Sequence, residues 1–171
     1  MSKEQLGFGP NRVVVEVRRA KRDPLTRKCL FDSDGNVLYE DEVEVLENVN
    51  LTCNAGLEAA KAHLFNTAGD IAKYIALSES AQAPAVGHTD LDGEITENGL
   101  ERAAATYSGD GTGVCDLSKT FTASGSFSTV RLMGLFDAGA AGNMYFEATF
   151  TAVALESGDQ LTAKWDPITL S

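Results

Sequence analysis

Met144-Tyr145-Phe146-Glu147-Ala148-Thr149-Phe150-Thr151-Ala152 is the stretch on which the reading of the fold turns. Met144, Phe146, Ala148, Phe150 and Ala152 share one parity; Tyr145, Glu147, Thr149 and Thr151 share the other. Side chains of an extended strand alternate between the two faces of a sheet, so this order predicts a strand with one apolar and one more polar face. Leu161, Ala163 and Trp165 repeat the alternation, which puts Trp165 on a core face.

Working backwards, the segments AKYIALSE, LERAAATY, CDLSKTFTASGSF and STVRLMGLFDA read as further short strands. Gly109-Asp-Gly-Thr-Gly113, Gly139 to Gly142 and Ser157-Gly158-Asp159 separate the later ones as turns. Short strands at regular spacing with glycine-rich turns predict a mainly β chain, an antiparallel β-sandwich or jelly-roll-like barrel. Asp166-Pro167 then predicts that the last strand ends early or lies at an edge, because proline cannot donate to a ladder.

The N-terminal third is also β, with one interruption. Val13, Val15 and Val17 alternate with Val14, Glu16 and Arg18. Residues 28–47 read as a hairpin about the turn Asp32-Ser-Asp-Gly35-Asn36, with Val43 and Val45 on one face of the return strand and Glu42 and Glu44 on the other. After it, Leu57, Ala60 and Leu64 recur at helical spacing, which predicts one short amphipathic helix over about 54–66. Asn54 suits the N-cap, Glu58 the first turn, and Asn66 to Gly69 the stop. The organisation expected is a flexible arm over 1–11, an N-terminal β segment over 12–47, and a helix plus sandwich body over 48–171.

The 171 residues fit one domain and bury a core without staples. They carry 14 Lys+Arg and 25 Asp+Glu, a formal net charge of −11. That balance disfavours free DNA or RNA as a partner, since phosphates are repelled. No apolar run approaches the roughly 20 residues of a membrane span, and the start, MSKEQLGFGPNR, has no apolar signal core. No membrane partner and no export are therefore expected. Cys29, Cys53 and Cys115 are odd in number and widely spaced, which points to reduced thiols and to neither a disulfide framework nor a zinc site.

The charge is unevenly placed. Residues 1–28 hold eight bases and three acids, net +5, and residues 29–171 hold six bases and 22 acids, net −16. Arg12, Arg18, Arg19, Lys21, Arg22, Arg27 and Lys28 are the candidate docking residues, offered to an acidic protein surface. No aromatic residues are interleaved among them for base stacking.

Other chemistry is thinly supported. His63 and His88 are the only histidines, and no nucleophile elbow or neighbouring Cys–His pair accompanies them. Asp32-x-Asp34-Gly35 and Asp90-x-Asp92-Gly93-Glu94 resemble pieces of calcium loops, but glycine follows the second aspartate directly, out of register for an EF-hand. Gly109 to Gly113 lacks the Lys-Ser/Thr of a phosphate loop. No catalytic residue, metal or cofactor is expected. A glycan- or receptor-binding sandwich is the alternative, with Tyr107, Tyr145 or Trp165 as stacking aromatics.

The order of motifs in the second part of the chain adds a resemblance. Asn50 and Asn54-Ala55-Gly56 are followed by Tyr74-Ile75-Ala76-Leu77, Thr89-Asp90-Leu91, Glu94-Ile95, and Leu100-Glu101-Arg102. Then come Gly134-Leu135-Phe136-Asp137-Ala138, Gly142-Asn143-Met144 and Ser157-Gly158-Asp159-Gln160-Leu161-Thr162-x-x-Trp165. Over roughly 48–170 this order resembles small virion structural proteins of tailed viruses of bacteria and archaea. Ser78 stands where that family usually has glycine. The resemblance implies a structural role: capsid decoration or cement first, a tail, fibre or adaptor component second. The implied partners are the major capsid protein or tail proteins and further copies of the chain. The implied location is the virion, assembled in the host cytoplasm.

Overall fold

Two antiparallel five-stranded sheets form a β-sandwich with one short helix in this computed structural model, which describes residues 12–49, 51–65, 71–111 and 114–169. In chain order the elements are β1 (Arg12–Ala20), β2 (Tyr39–Val49), β3 (Leu51–Thr52), α1 (Asn54–Phe65), β4 (Tyr74–Ser78) and β5 (Ala103–Ala104). They continue with β6 (Thr106–Gly111), β7 (Val114–Thr122), β8 (Phe127–Phe136), β9 (Met144–Leu155) and β10 (Gln160–Thr169). One sheet runs β2-β1-β10-β7-β6 and the other β3-β9-β8-β4-β5. The expected arm, residues 1–11, lies outside the described residues, as do Asn50 and the helix stop at 66–69.

The alternating positions build the core between the sheets. Val13, Val15 and Val17 of β1 lie opposite Trp165, Ala163 and Leu161 of β10, and all six are fully buried. From the second sheet Ile75, Leu77, Met133, Leu135 and Ala148 meet them. Each large apolar side chain taken out of water there contributes about 1.5–3 kcal/mol.

The second sheet is buried on its other face as well. Cys53, Ala76, Leu91, Leu132, Phe136 and Met144 form a smaller cluster, closed by Leu91 from the long 79–102 connection. This explains why β4 and the end of β8 read as unbroken apolar runs. It also corrects the expectation for β9: Tyr145 joins the main core, Met144 the smaller cluster, and Glu147 is fully buried.

Bulges correct several registers. On β9 the pairing slips between Val130↔Val153 and Leu132↔Thr149, so Val153 and Leu155 turn inward while Ala152 is exposed. β10 neither ends early nor lies at an edge. It runs past Pro167 as the central strand, and a slip between Trp165↔Leu117 and Ile168↔Cys115 accommodates the proline in a bulge. The turn at Asp32 forms as expected, with Asp32 Oδ1 accepting from the Asp34 and Asn36 N–H groups at 2.9 Å each. Its strand pairing differs: β2 pairs with β1, and only the bridge Phe31↔Val37 links the two arms of that turn. The faces of β2 alternate as expected, with the glutamate parity on the side of the buried valines. Glu44 and Leu46 lie opposite buried Val17 and Val15, whereas Val43 and Val45 lie opposite Arg18 and Glu16.

Helix α1 begins where expected but presents a different face. Leu57 is exposed, and Ala55 and Ala59 pack on the core. No acidic residue stands in its first turn, so Glu58 falls one position beyond it. Gly56 sets the contact distance, because a Cβ there would lie 2.5 Å from Tyr145 O of β9. We expect Gly56→Ala to cost about 1–3 kcal/mol through forced separation of helix and strand; a urea midpoint equal to wild type would show that the helix is not seated this closely.

Candidate docking surface

The basic segment predicted for docking is drawn back onto the body at its centre. Asp159, in the β9–β10 turn, is 2% exposed. Its Oδ1 accepts from the Ala20 N–H at 2.8 Å and from Arg22 Nη1 at 3.0 Å. Its Oδ2 accepts from the Glu156 N–H at 3.0 Å and from Arg19 Nη1 at 3.4 Å. Burial alone would raise the Asp159 carboxyl above its usual value; the Glu156 and Ala20 N–H groups and the Arg22 guanidinium outweigh burial and hold it below. Gly158 makes the turn possible with φ +93°, and a Cβ there would also meet Cys29 Sγ at 2.6 Å.

The other arginines extend this hub. Arg19 also reaches Glu44 Oε2 at 3.0 Å and the Ala154 carbonyl oxygen, so it bridges β1, β2 and β9. Arg22 pairs with Glu156 at 3.0 Å and donates to Ser157 O at 2.8 Å. Arg27 approaches Glu156 at 3.6 Å, and Arg12 pairs with Glu47 at 3.1 Å. Of the seven predicted docking residues, four are therefore ion-paired within the chain. Arg18, Lys21 and Lys28 carry no ion pair among the described residues. The seven read as one patch in the sequence because their partners, on β2 and in the β9–β10 turn, lie outside the segment and leave no local signal.

An open cleft of about 490 Å³ lies over the hub. Arg19, Arg22 and Arg27 face Glu40, Glu156 and Asp159 across it. Three cations against three carboxylates leave no net field to collect a free anion, so the cleft is poorly suited to a phosphate.

A second polar site lies beneath the 79–102 connection. Glu147 Oε2 accepts from His88 Nδ1 at 2.8 Å and from the Ala85 N–H at 3.2 Å, with Glu147 fully buried. Cys53 shares this environment, and its thiol is pushed up to about 11 by burial and by the Glu147 charge. A thiol held protonated at neutral pH is a poor nucleophile; the pair instead fastens the connection to β9. In the sequence His88 lies in a loop and Glu147 on the more polar face of its strand, and nothing in either context announces the contact. The side chain of His63 lies outside the described residues.

The same connection is locked at its other end. Arg102 donates to Glu94 through Nε at 2.8 Å and through Nη2. It also reaches Ala138 O at 3.2 Å and Ala141 O at 2.6 Å, and its guanidinium stacks 3.5 Å from the Phe136 ring centroid. Asp137 closes the adjoining turn on the Asn143 N–H at 2.8 Å.

Of the aromatics considered for sugar stacking, Trp165 and Tyr145 are buried and Tyr107 is 67% exposed. Among the described residues no group of three or more metal-ligating side chains is assembled. Compared with known proteins, the chain matches no family model, no curated sequence and no solved structure.

Proposed function

We propose that this chain is a structural subunit of a tailed-virus particle, and in the first instance a capsid-decorating or cement protein. It would bind by burying surface against the major capsid protein and against its own copies. The supporting observation is where the ordered motif residues fall. Leu91 plugs the smaller core, Arg102 clamps Glu94, Asp137 closes a turn, Asp159 anchors the hub and Trp165 fills the main core. A motif series spent on scaffold joints suits a subunit whose task is shape and surface; a reaction centre would spend such residues on reactive side chains in a cleft.

Quantitative mass spectrometry of purified particles tests this reading. A copy number matching the major capsid protein supports decoration. A copy number matching a tail ring favours the tail or adaptor role instead. Absence from the particle overturns the proposal. Arg18 is exposed on the outer face of its sheet, opposite Val43 and Gln160. Arg18→Glu is expected to lower particle occupancy while leaving the circular dichroism spectrum and melting temperature at wild-type values. Full occupancy would remove Arg18 from the docking surface.

A further inference from the structure

Residues 81–91 leave the body and return to it through a closed neck. At the neck, Ser80 Oγ donates to Asp92 Oδ2 and Ser78 Oγ donates to Asp92 O. Glu79 fixes the incoming side by accepting from the Ser128 and Thr129 N–H groups at 2.7 and 2.9 Å. The Ile95 N–H, bonded to Leu77 O, and the Arg102 clamp on Glu94 fix the outgoing side. A run whose ends meet in this way is a compact Ω-type loop.

No strand or helix falls within 81–91, so its seat on the body is made contact by contact. Val86 O accepts from the Asn54 N–H at 2.8 Å, and Thr89 O accepts from the Met144 N–H at 3.2 Å. The Ala85 N–H and His88 Nδ1 both go to a single oxygen, Glu147 Oε2. Leu91, at the end of the loop, sits in the smaller apolar cluster with Cys53.

That seat carries an opposing force. Glu147 is fully buried, and its Oε1 meets no hydrogen-bond partner among the described residues. Its ion pair among the described residues is with His88, whose side chain is 24% exposed. A buried carboxylate with a bare oxygen and one partial counter-charge loses solvation that water would restore. Lifting the loop hydrates both oxygens and bares Cys53, itself fully buried. The closed loop is thus held by His88 and by apolar seating, and opposed by the charge beneath it.

We propose that residues 81–91 are a lid, hinged at the neck of Ser78, Ser80 and Asp92, that opens as a unit while both sheets stay folded, and that Glu147 biases it toward opening. His88 is then a latch set against a built-in release. The inference concerns the isolated chain and is independent of the structural-subunit reading.

Native-state hydrogen exchange of the full chain, read residue by residue, tests it. The Asn54 and Met144 N–H groups report the lid; the amides of β1 and β10 report global unfolding. In the wild type the first two are expected to be at least roughly tenfold less protected than the slowest of the second, through an opening that dilute urea does not promote. His88→Ala removes the latch and is expected to speed exchange at Asn54 and Met144 at least roughly tenfold while leaving Ile95 unchanged. Glu147→Gln keeps the shape and an acceptor for His88 and the Ala85 N–H but removes the charge, and is expected to slow exchange at both. A carboxylate acting only as a clamp gives the opposite sign, and faster exchange in Glu147→Gln overturns the proposal. So does an unchanged rate in that variant. Wild-type Asn54 and Met144 amides as protected as those of β1 and β10 overturn it as well, a result that requires no variant to fold.

Discussion

Asp159→Ala is expected to lower unfolding free energy by roughly 3–5 kcal/mol, the range seen when one partner of a buried ion pair is removed. The replacement leaves Arg22 half of its pairing and strips acceptors from the Ala20 and Glu156 N–H groups. These lie at the end of β1 and at the β9–β10 turn, so two distant parts of the chain lose one anchor. Asp159→Asn keeps the shape and one acceptor oxygen and should fall between alanine and wild type. Urea unfolding at neutral pH measures the series, and a loss below about 1 kcal/mol for alanine would place the hub among ordinary surface pairs. The pH dependence follows from the depressed carboxyl. A carboxylate more acidic in the folded than in the unfolded chain stabilises fully above the unfolded value, and that stability is lost as pH falls through the folded one. The wild type should therefore lose the Asp159 contribution only below the usual value of 3.8, and Asp159→Asn should show a shallower loss there.

Arg102→Ala is expected to cost a comparable amount, roughly 3–5 kcal/mol. The Arg102 side chain is 7% exposed, against 20% for Glu94. Its removal leaves that carboxylate without its partner, frees the Ala138 and Ala141 carbonyls and uncovers the Phe136 ring. Arg102→Lys should recover little, because an ammonium cannot hold a bidentate carboxylate and stack on the ring together. Hydrogen exchange adds a readout that a general loss of stability would not give: protection should fall first at Ile95, whose N–H donates to Leu77 O at 2.9 Å, before it falls in β1 and β10. Uniform loss across both sheets would argue against a local clamp.

The strands were legible because their side chains obey a two-residue period against a core on one side. Val13 to Val17 and Leu161 to Trp165 were read correctly for that reason. The period failed where a second surface or an extra residue intervened. Glu147 reads as part of the polar face of its strand, yet a distant connection covers that face. At Ala152 and Pro167 the period breaks because a bulge shifts the phase without altering composition. On β2 the alternation holds, but by itself it does not say which parity faces inward. Its position at the sheet edge lets glutamate occupy the inward parity, where Glu44 reaches Arg19 beyond the rim. The docking candidates are legible as a cluster of cations, but which of them are ion-paired depends on Glu44 and Glu47 of β2 and on Glu156 and Asp159 far along the chain.

The placement of β1 also bears on how the chain is made. It is the first described strand to leave the ribosome, and β10, which must pair along its inner edge, is the last. β2 can zip onto one side early, but the other side of a valine-rich strand stays open until residues 160–169 have been synthesised. Closing that pair spans nearly the whole sequence, a topology that folds slowly and leaves an unsatisfied edge exposed in the interval. A net charge of −11 disfavours association of chains through that open edge until β10 fills it.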